Sequence, residues 1–458
     1  MRFFRDDFQI ARSFRDRSQP VVETATSSPV IGRATTFVMA IACGVAAATV
    51  YCNQPMLGIL EAAFPGRASV AGLVPMATQL GFAVGLVLLV PLGDRIDRRR
   101  LILLQMTALA LSLLAAALAP DAWALVVISA LIGITSSVAQ QIVPFAAELA
   151  QPSRRGATIG TVMSGLLCGM LLGRVVAGVV ADHYGWRAMY WLSVLLVIAT
   201  SCLLAATLPR GQPNTQGCYG ELLKSLIALW RDEPALRRAT MIQRCLFGSF
   251  TAFWTILALQ LSARYHLGAE TAGLFGIAGV IGILFAPIAG KIGDRRGPAE
   301  LIADGVFIML ASWLTFAAFG TVAGLVVGVI LLDFGEQGAL VSNQQIIYAL
   351  RPEARNRLNT IFMGGMFIGG AIGSAGALLA WHTAGWYAVC AFGAALVAIA
   401  LAHARMATSH FKRSPASRPS TMTAESLRVN GTSPAGAGVY AARCSPQPCQ
   451  APSVGTKP

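Results

Sequence analysis

Twelve apolar runs, each about 20 residues or longer, fill most of this 458-residue chain, and nothing else limits its folding so tightly. They fall at roughly 36–60, 70–92, 101–119, 122–148, 157–181, 186–208, 238–262, 271–291, 300–320, 322–348, 358–380 and 385–405. A helix rising about 1.5 Å per residue needs about 20 residues to cross a hydrocarbon layer of about 30 Å. The runs are continuous and lack period-two alternation, so they read as helices that satisfy their own backbone groups rather than as barrel strands. Composition agrees: 55% of residues are hydrophobic, only 12% are charged, and mean hydropathy is +0.63.

The charges orient the runs. Of 35 Lys and Arg residues, all but five lie in alternate connections on one side, including the amino tail, 93–100, 209–238, 291–296, 351–357 and the carboxyl tail. The other side holds Arg67, Arg187 and Arg264, while Arg174 and Arg244 lie inside runs. The positive-inside rule therefore places both termini in the cytoplasm. A net charge of +14 is then mainly a topology signal with some attraction for anionic lipid, and no nucleic-acid partner is needed to explain it. The amino tail lacks the apolar core of a secretory signal, and either an interfacial basic helix or a misplaced start accounts for it.

These features predict an all-α membrane protein: a basic cytoplasmic amino tail (1–35), a six-helix bundle (36–208), a cytoplasmic linker (209–237), a second six-helix bundle (238–405) and a disordered Ser/Pro-rich cytoplasmic tail (406–458). Cys43, Cys52, Cys168, Cys202, Cys245 and Cys390 fall inside runs, where small apolar packing is their ordinary role. Cys444 and Cys449 and the five histidines show no ligand spacing, so neither a metal nor an organic cofactor is expected.

Sliding the chain against itself by 200 residues brings Gly93-Asp94-Arg95 onto Gly293-Asp294-Arg295, Gly165, Gly169 and Gly173 onto Gly365, Gly369 and Gly373, and Gly185-Trp186 onto Gly385-Trp386. Six helices per half is an even number, so the second half enters the membrane from the same side as the first, and solute sites in such folds lie between the halves near mid-membrane.

This two-times-six repeat, with an acidic-basic loop after the second and eighth helices, resembles the major facilitator superfamily over about 36–405. The family's Gly-x-x-x-Asp-Arg-x-Gly signature is met by Gly290 to Gly297, whereas the first half has Val90 and Asp97 in place of the two glycines. Tyr51-Cys52-Asn53-Gln54-Pro55, Ser342-Asn343-Gln344 and Arg355 to Thr360 are similar to a bacterial branch of drug/proton antiporter-like carriers. The resemblance implies twelve transmembrane helices in a bacterial inner membrane, a small-molecule substrate, a wet cavity lined by the first, fourth, seventh and tenth helices of a monomer, and the proton as coupling ion. It also implies an antiporter motif at Gly173-Arg174-Val175-Val176-Ala177-Gly178, in which Arg174 stands where the family has Pro, and an arginine on the fourth helix where this chain has Ser129.

Physical reasoning gives these positions roles. Asp94, Arg95, Arg98, Asp294 and Arg295 can bind helix ends and carboxylates in tight cytoplasmic loops, with Glu148 as a partner, forming a latch whose breakage lets the halves rock. Their alternative role is topology alone. Gly165, Gly169, Gly173 and Gly178, echoed by Gly365, Gly369 and Gly373, form smooth helix-packing faces.

Ionisable groups inside a membrane are costly and usually functional. Asp333 and Glu336 lie near the middle of the tenth run on one face, and they are the proton-binding candidates, with Gln337 and Gln344 continuing the stripe. The competing reading is a fixed ion pair with the charge partners Arg174 or Arg244. Tyr51, Asn53, Gln54, Gln141, Gln243, Phe247 and Trp254 complete the substrate-cavity candidates, although the aromatic stripe of the seventh run also suits a lipid-facing surface. No His-Glu-x-x-His, nucleophile elbow or Walker loop is present, so no enzyme is expected. Proton-driven efflux is the first expectation, proton symport the alternative, and a non-transporting receptor the reading from another class.

Overall fold

The computed structural model describes residues 31–209, 219–279, 296–351 and 354–413. The amino tail, the loop carrying Asp294 and Arg295, and the carboxyl tail from 414 lie outside the described residues. Helices dominate, and no strand occurs among the described residues.

In the first half they are α1 (Arg33–Tyr51), the short α2 (Leu57–Ala63) and α3 (Ala68–Ala71), α4 (Val74–Leu89), α5 (Arg98–Ala117), α6 (Ala122–Ser136), α7 (Ala139–Leu149), α8 (Arg155–Tyr184) and α9 (Trp186–Thr207). The linker forms α10 (Tyr219–Asp232). The second half has α11 (Pro234–Tyr265), α12 (described over 269–279), α13 (Pro298–Ala318), α14 (Val322–Leu350) and α15 (Arg355–Arg413). Ten segments among the described residues are long and apolar enough to cross a membrane. The last, Arg355–Arg405, contains a break at Ala384 and Gly385 that divides it into two helices. Helical structure in α15 also runs past the 405 boundary expected from sequence, to Arg413.

Two runs that read as continuous in sequence are interrupted. The first ends at Tyr51, and residues 52–56 form turns before α2. Pro55 explains the stop, because it has no N–H to donate and disfavours helical geometry in Gln54. The fourth run breaks at Ser137 and Val138, between α6 and α7, with Pro144 farther along α7. Each interruption frees polar groups at membrane depth, which is tolerated only where protein surrounds them.

The repeat seen in sequence is also a repeat in packing. Side chains on Gly165, Gly169 and Gly173 of α8 would strike Ala40, Gly44 and Ala48 of α1. Side chains on Gly365, Gly369 and Gly373 of α15 would strike Thr240, Arg244 and Gly248 of α11, each 200 residues on. Gly185 and Gly385 both adopt positive φ, +82° and +68°, with open space around them. At both positions a side chain has room but not the backbone geometry, which is why Gly recurs there.

Each half buries its own apolar core. That of the first half centres on α1, α5, α6 and α9, and that of the second on α11, α13 and α14. Tyr51, Leu57, Phe82 and Leu86 of the first half pack into the second core, so the halves share an apolar seam.

Candidate functional site

Where that seam meets the break after α1, buried polar residues of both halves converge. The turn at 52–56 carries Asn53 and Gln54 inward, to 2% and 1% exposure. Asn53 Nδ2 donates to Thr78 Oγ1 at 2.9 Å, which fixes the turn against α4. Arg174 of α8, 1% exposed, donates from Nε to Gln54 Oε1 at 3.1 Å. Its guanidinium lies over the Trp254 ring at 4.1 Å and the Tyr51 ring at 4.9 Å. Both are cation–π contacts in a desolvated setting. Gln54 and Trp254 are equivalent at the 200-residue offset, so equivalent positions of the two halves meet on one arginine.

The acids lie beside it on α14. Asp333 is 6% exposed and Glu336 2%. Gln243 Nε2 donates to Glu336 Oε1 at 2.6 Å, and Asn343 Nδ2 donates to Gln243 Oε1 at 3.0 Å. Arg174 and Asp333 interact electrostatically, but no ion pair within 4 Å joins Arg174 to either acid among the described residues. Gly276 faces Arg174 and Gly279 faces Asp333, so the arginine and the acid border one stretch of α12.

Several buried polar atoms here have no hydrogen-bond partner among the described residues: Arg174 Nη2, Gln54 Nε2, Trp254 Nε1, Asp333 Oδ2, Glu336 Oε2 and Asn343 Oδ1. Such groups are rare, and each calls for an explanation. Together they form a centre whose hydrogen-bonding capacity is only partly used.

The aromatic stripe is buried and not lipid-facing: Phe247, Phe250 and Trp254 are 6%, 4% and 2% exposed. Phe247 stacks on Phe250 at 5.7 Å and meets Phe367 edge-on at 5.2 Å. They wall the polar centre on one side.

Other candidates lie elsewhere. Gln141 is not at this centre, because its Nε2 donates to Leu89 O and to Gln105 Oε1, both at 3.0 Å, and ties α7 to α4 and α5. Arg244 is also off the cluster. Its backbone is the surface on which Gly369 packs, and the preceding residue, Gln243, reaches Glu336 instead. Gln337 and Gln344 are half-buried on the flank of α14. Asn343, two turns beyond Glu336, continues the buried stripe.

The sequence places Asn343 in a family-like motif but not among the cavity candidates, and it does not single out Gln79, whose amide is buried without a partner among the described residues. The repeat held a usable signal: Arg174, Asp333 and Glu336 stand where the other half has Ser374, Gly133 and Ser136. Charge appears where the two halves differ.

At the arginine-rich face, Arg98 Nη1 and Glu148 Oε2 are 3.5 Å apart, joining α5 to α7 within the first half. Arg98 Nε also donates to Gly93 O at 3.2 Å. Asp97, which replaces the signature glycine, caps α5 by accepting from Arg99 N at 3.0 Å, a helix-start role that a carboxylate performs well. Asp94 ends a short 3-10 turn, and Arg95 beside it is half-buried. Asp294 and Arg295 lie outside the described residues. A small cavity of about 50 Å³ lies here between the halves, bordered by Arg98 and Gln141 on one side, Asn356 and Asn359 on the other, and Leu222 and Leu226 of α10.

At the opposite face the halves touch. Gly178 of α8 packs on Ala269 and Gly273 of α12, Ala269 N donates to Asp182 Oδ1 at 3.3 Å, and Glu61 Oε1 lies 3.5 Å from His382 Nε2. Burial holds the Glu61 carboxyl above its ordinary value, and the neighbouring His382 partly offsets this. A raised value means that the closed face binds the proton more tightly than an open, hydrated one. Closure should therefore strengthen as pH falls towards the usual carboxylate range and weaken as pH rises through the raised value. A cysteine introduced at Leu378, which Gly72 covers, should be labelled by an impermeant maleimide more slowly at lower pH than the ionisation of an unhindered thiol accounts for, whereas Glu61→Gln should leave only that thiol dependence. Identical profiles in the two proteins would remove Glu61 from the gate.

A polytopic helical bundle with a buried polar centre shared by two repeated halves is the architecture of a membrane transporter. The Major Facilitator Superfamily model matches residues 39–319 and 239–446, and the chain belongs to that family. It is 39% identical over 367 residues to "Uncharacterized transporter YgaY" of Escherichia coli O157:H7, covering 79% of this chain and 93% of that one. It is 26% identical over 247 residues to "Multidrug resistance protein MdtG" of Citrobacter koseri, covering 52% and 60%. Among solved structures, a bacterial homolog of the human lysosomal transporter Spinster, crystallised inward-facing and unoccupied, superposes with a TM-score of 0.67 at 13% identity, covering 84% of this chain and 99% of that one. The chain is thus a multi-pass membrane transporter of a small molecule and not an enzyme.

Proposed function

We propose that this protein is a proton-coupled secondary carrier of a small organic solute in the bacterial cell membrane, working by alternating access with Asp333 and Glu336 as the proton-binding groups. The observation that carries this reading is the acid pair itself: two carboxyl groups buried between the halves, each with an unpartnered oxygen and neither in an ion pair among the described residues. An unpaired charge at membrane depth costs several kcal/mol, and a proton is the smallest partner that removes the cost.

Contact of the halves at the arginine-poor face suits one end of an alternating-access cycle. Two coupling modes fit the centre. Acids that bind a cationic solute must first lose their protons, which is antiport and agrees with the efflux expected from sequence and with the name of the MdtG relative. A solute held by Arg174 needs those acids neutral, which is symport, and the buried unpartnered Nη2 favours it.

The test uses the reconstituted protein in vesicles with an imposed pH gradient and labelled benzoate, benzamide and benzyltrimethylammonium. The expected result is that one class is moved against its gradient and that an uncoupler abolishes this. Saturable binding with no flux for any class would instead identify a receptor.

A further inference from the structure

We propose that the central site takes a small organic carboxylate with an apolar, preferably aromatic, body, and that Arg174 holds the carboxylate through its free in-plane N–H groups. This rests on the carrier reading of the same centre and adds the chemical class of the solute.

Arginine carries five N–H donors in a planar fork. Here Nε is used by Gln54, and the stacking with Trp254 and Tyr51 engages the π face. What remains is the edge, where Nη2 is buried without a partner. A planar guanidinium edge matches a carboxylate in two parallel hydrogen bonds, a geometry that a neutral amide or a cation cannot satisfy. Trp254 Nε1 and Gln54 Nε2 are further buried donors without partners, and both belong to residues that already contact Arg174. On Arg174 and on Gln54 and Trp254, which touch it, the unused capacity is donor capacity, which a solute oxygen anion fits, while the unpartnered oxygens of the centre belong to Asp333, Glu336 and Asn343 on α14.

The body of the solute is read from the wall. Trp254 leads along α11 to Phe250 at 6.1 Å and then to the stacked Phe247, an aromatic surface continuous with the arginine's own platform. A benzene-sized group attached to the carboxylate would meet these rings. A sugar or polyamine would leave them unsatisfied.

Coupling follows from charge. A carboxylate on Arg174 beside an ionised Asp333 places two anions against one cation, whereas a protonated Asp333 leaves the new pair neutral. Proton and organic anion therefore load together. Nothing covalent changes: the proton resides on the acid, the anion on the arginine, and both leave when the opposite face opens.

The experiment measures binding of benzoate, benzamide and benzyltrimethylammonium to the full-length protein in nanodiscs across pH, for wild type, Arg174→Lys, Arg174→Gln and Asp333→Asn. Benzoate should bind at least about 10-fold more tightly than either other probe and more tightly as pH falls. Arg174→Gln should weaken it about 100-fold, the loss of a charged hydrogen-bond pair. Arg174→Lys keeps the charge but not the fork and should lose about 10-fold, so the proposal stays testable if the Gln variant does not fold. Asp333→Asn should reduce the pH dependence of benzoate binding. Equal affinity for benzoate and benzamide, preference for the cation, no benzoate binding at about 10 mM, or an unaffected Arg174→Lys variant each overturns the proposal. Proton-driven accumulation of the cation without benzoate binding overturns it too, and leaves the carrier reading standing. Benzoate binding with no proton-linked flux upholds the anion site and removes that reading.

Discussion

Vesicles carrying the Asp333→Asn, Glu336→Gln double variant should lose concentrative transport altogether, with the accumulation ratio falling to about one, while exchange of labelled for unlabelled solute persists. Exchange needs the solute site and the rocking of the halves but no net movement of the driving ion, so it separates coupling from binding. The substitutions are close to isosteric. Gln at 336 can still accept from Gln243 through its amide oxygen, and Asn at 333 still fits against Gly279. Thermal stability discriminates further. Replacing buried, unpaired ionisable groups by neutral ones is commonly neutral or stabilising, whereas removing one partner of a buried ion pair costs about 3–5 kcal/mol. An unchanged or higher Tm together with lost accumulation fits proton carriers. A sharp fall in Tm with accumulation intact would mark the acids as fixed structural charges and would falsify the coupling role.

The class of fold was open to the sequence because lipid imposes a coarse rule: a span must be long, apolar and helical, and three properties of a run suffice to recognise it. The repeat was open for a related reason. Packing of α1 on α8 and of α11 on α15 relies on bare backbone, so its glycines recur at a fixed offset whatever the solute.

The centre was harder to read. Tyr51, Gln54, Gln243, Trp254, Arg174, Asp333 and Glu336 were all nominated and meet in space, because buried polarity in an apolar run is itself a signal. Gln141 carries the same signal and belongs elsewhere, since a glutamine that ties α7 to α4 and α5 looks the same in one dimension as one that faces a solute. Gln344 and Asn343 differ by one residue, which is about 100° of helix rotation, enough to move a side chain from the buried stripe to its flank. The turn at 52–56 could be anticipated from Pro55, but its outcome, two amide side chains delivered to an arginine 120 residues away, depends on tertiary packing.

Valine at Gly169 or Gly373 should be among the most destabilising single changes outside the polar centre. A side chain on Gly169 would run into the Gly44 backbone, and one on Gly373 into the Gly248 backbone. In both cases the obstacle is main chain and not the end of a flexible side chain, so relief requires the helices to separate along their length. Overpacking of this kind costs about 1–3 kcal/mol. The two sites lie in different halves and share no partner, so their effects should add to within about 0.5 kcal/mol. Gly156→Val is the control, being on the same helix as Gly169 with open space around it. The repeat sharpens the expectation. Arg244 occupies the position equivalent to Gly44, and Gly369 packs against its backbone, so close approach survives there although the residue opposite is large. Each seam needs glycine on α8 and α15; on the facing helices α1 also needs it at Gly44, where a side chain would meet the Gly165 carbonyl, whereas α11 carries Arg244 at the equivalent position. Gly369→Val should therefore match Gly169→Val in cost, and Arg244→Ala should be nearly silent in stability. Unfolding of the purified variants in mild denaturing detergent, followed by circular dichroism, measures all of these. A Gly169→Val protein as stable as the Gly156→Val control would mean that α1 and α8 are not in backbone contact.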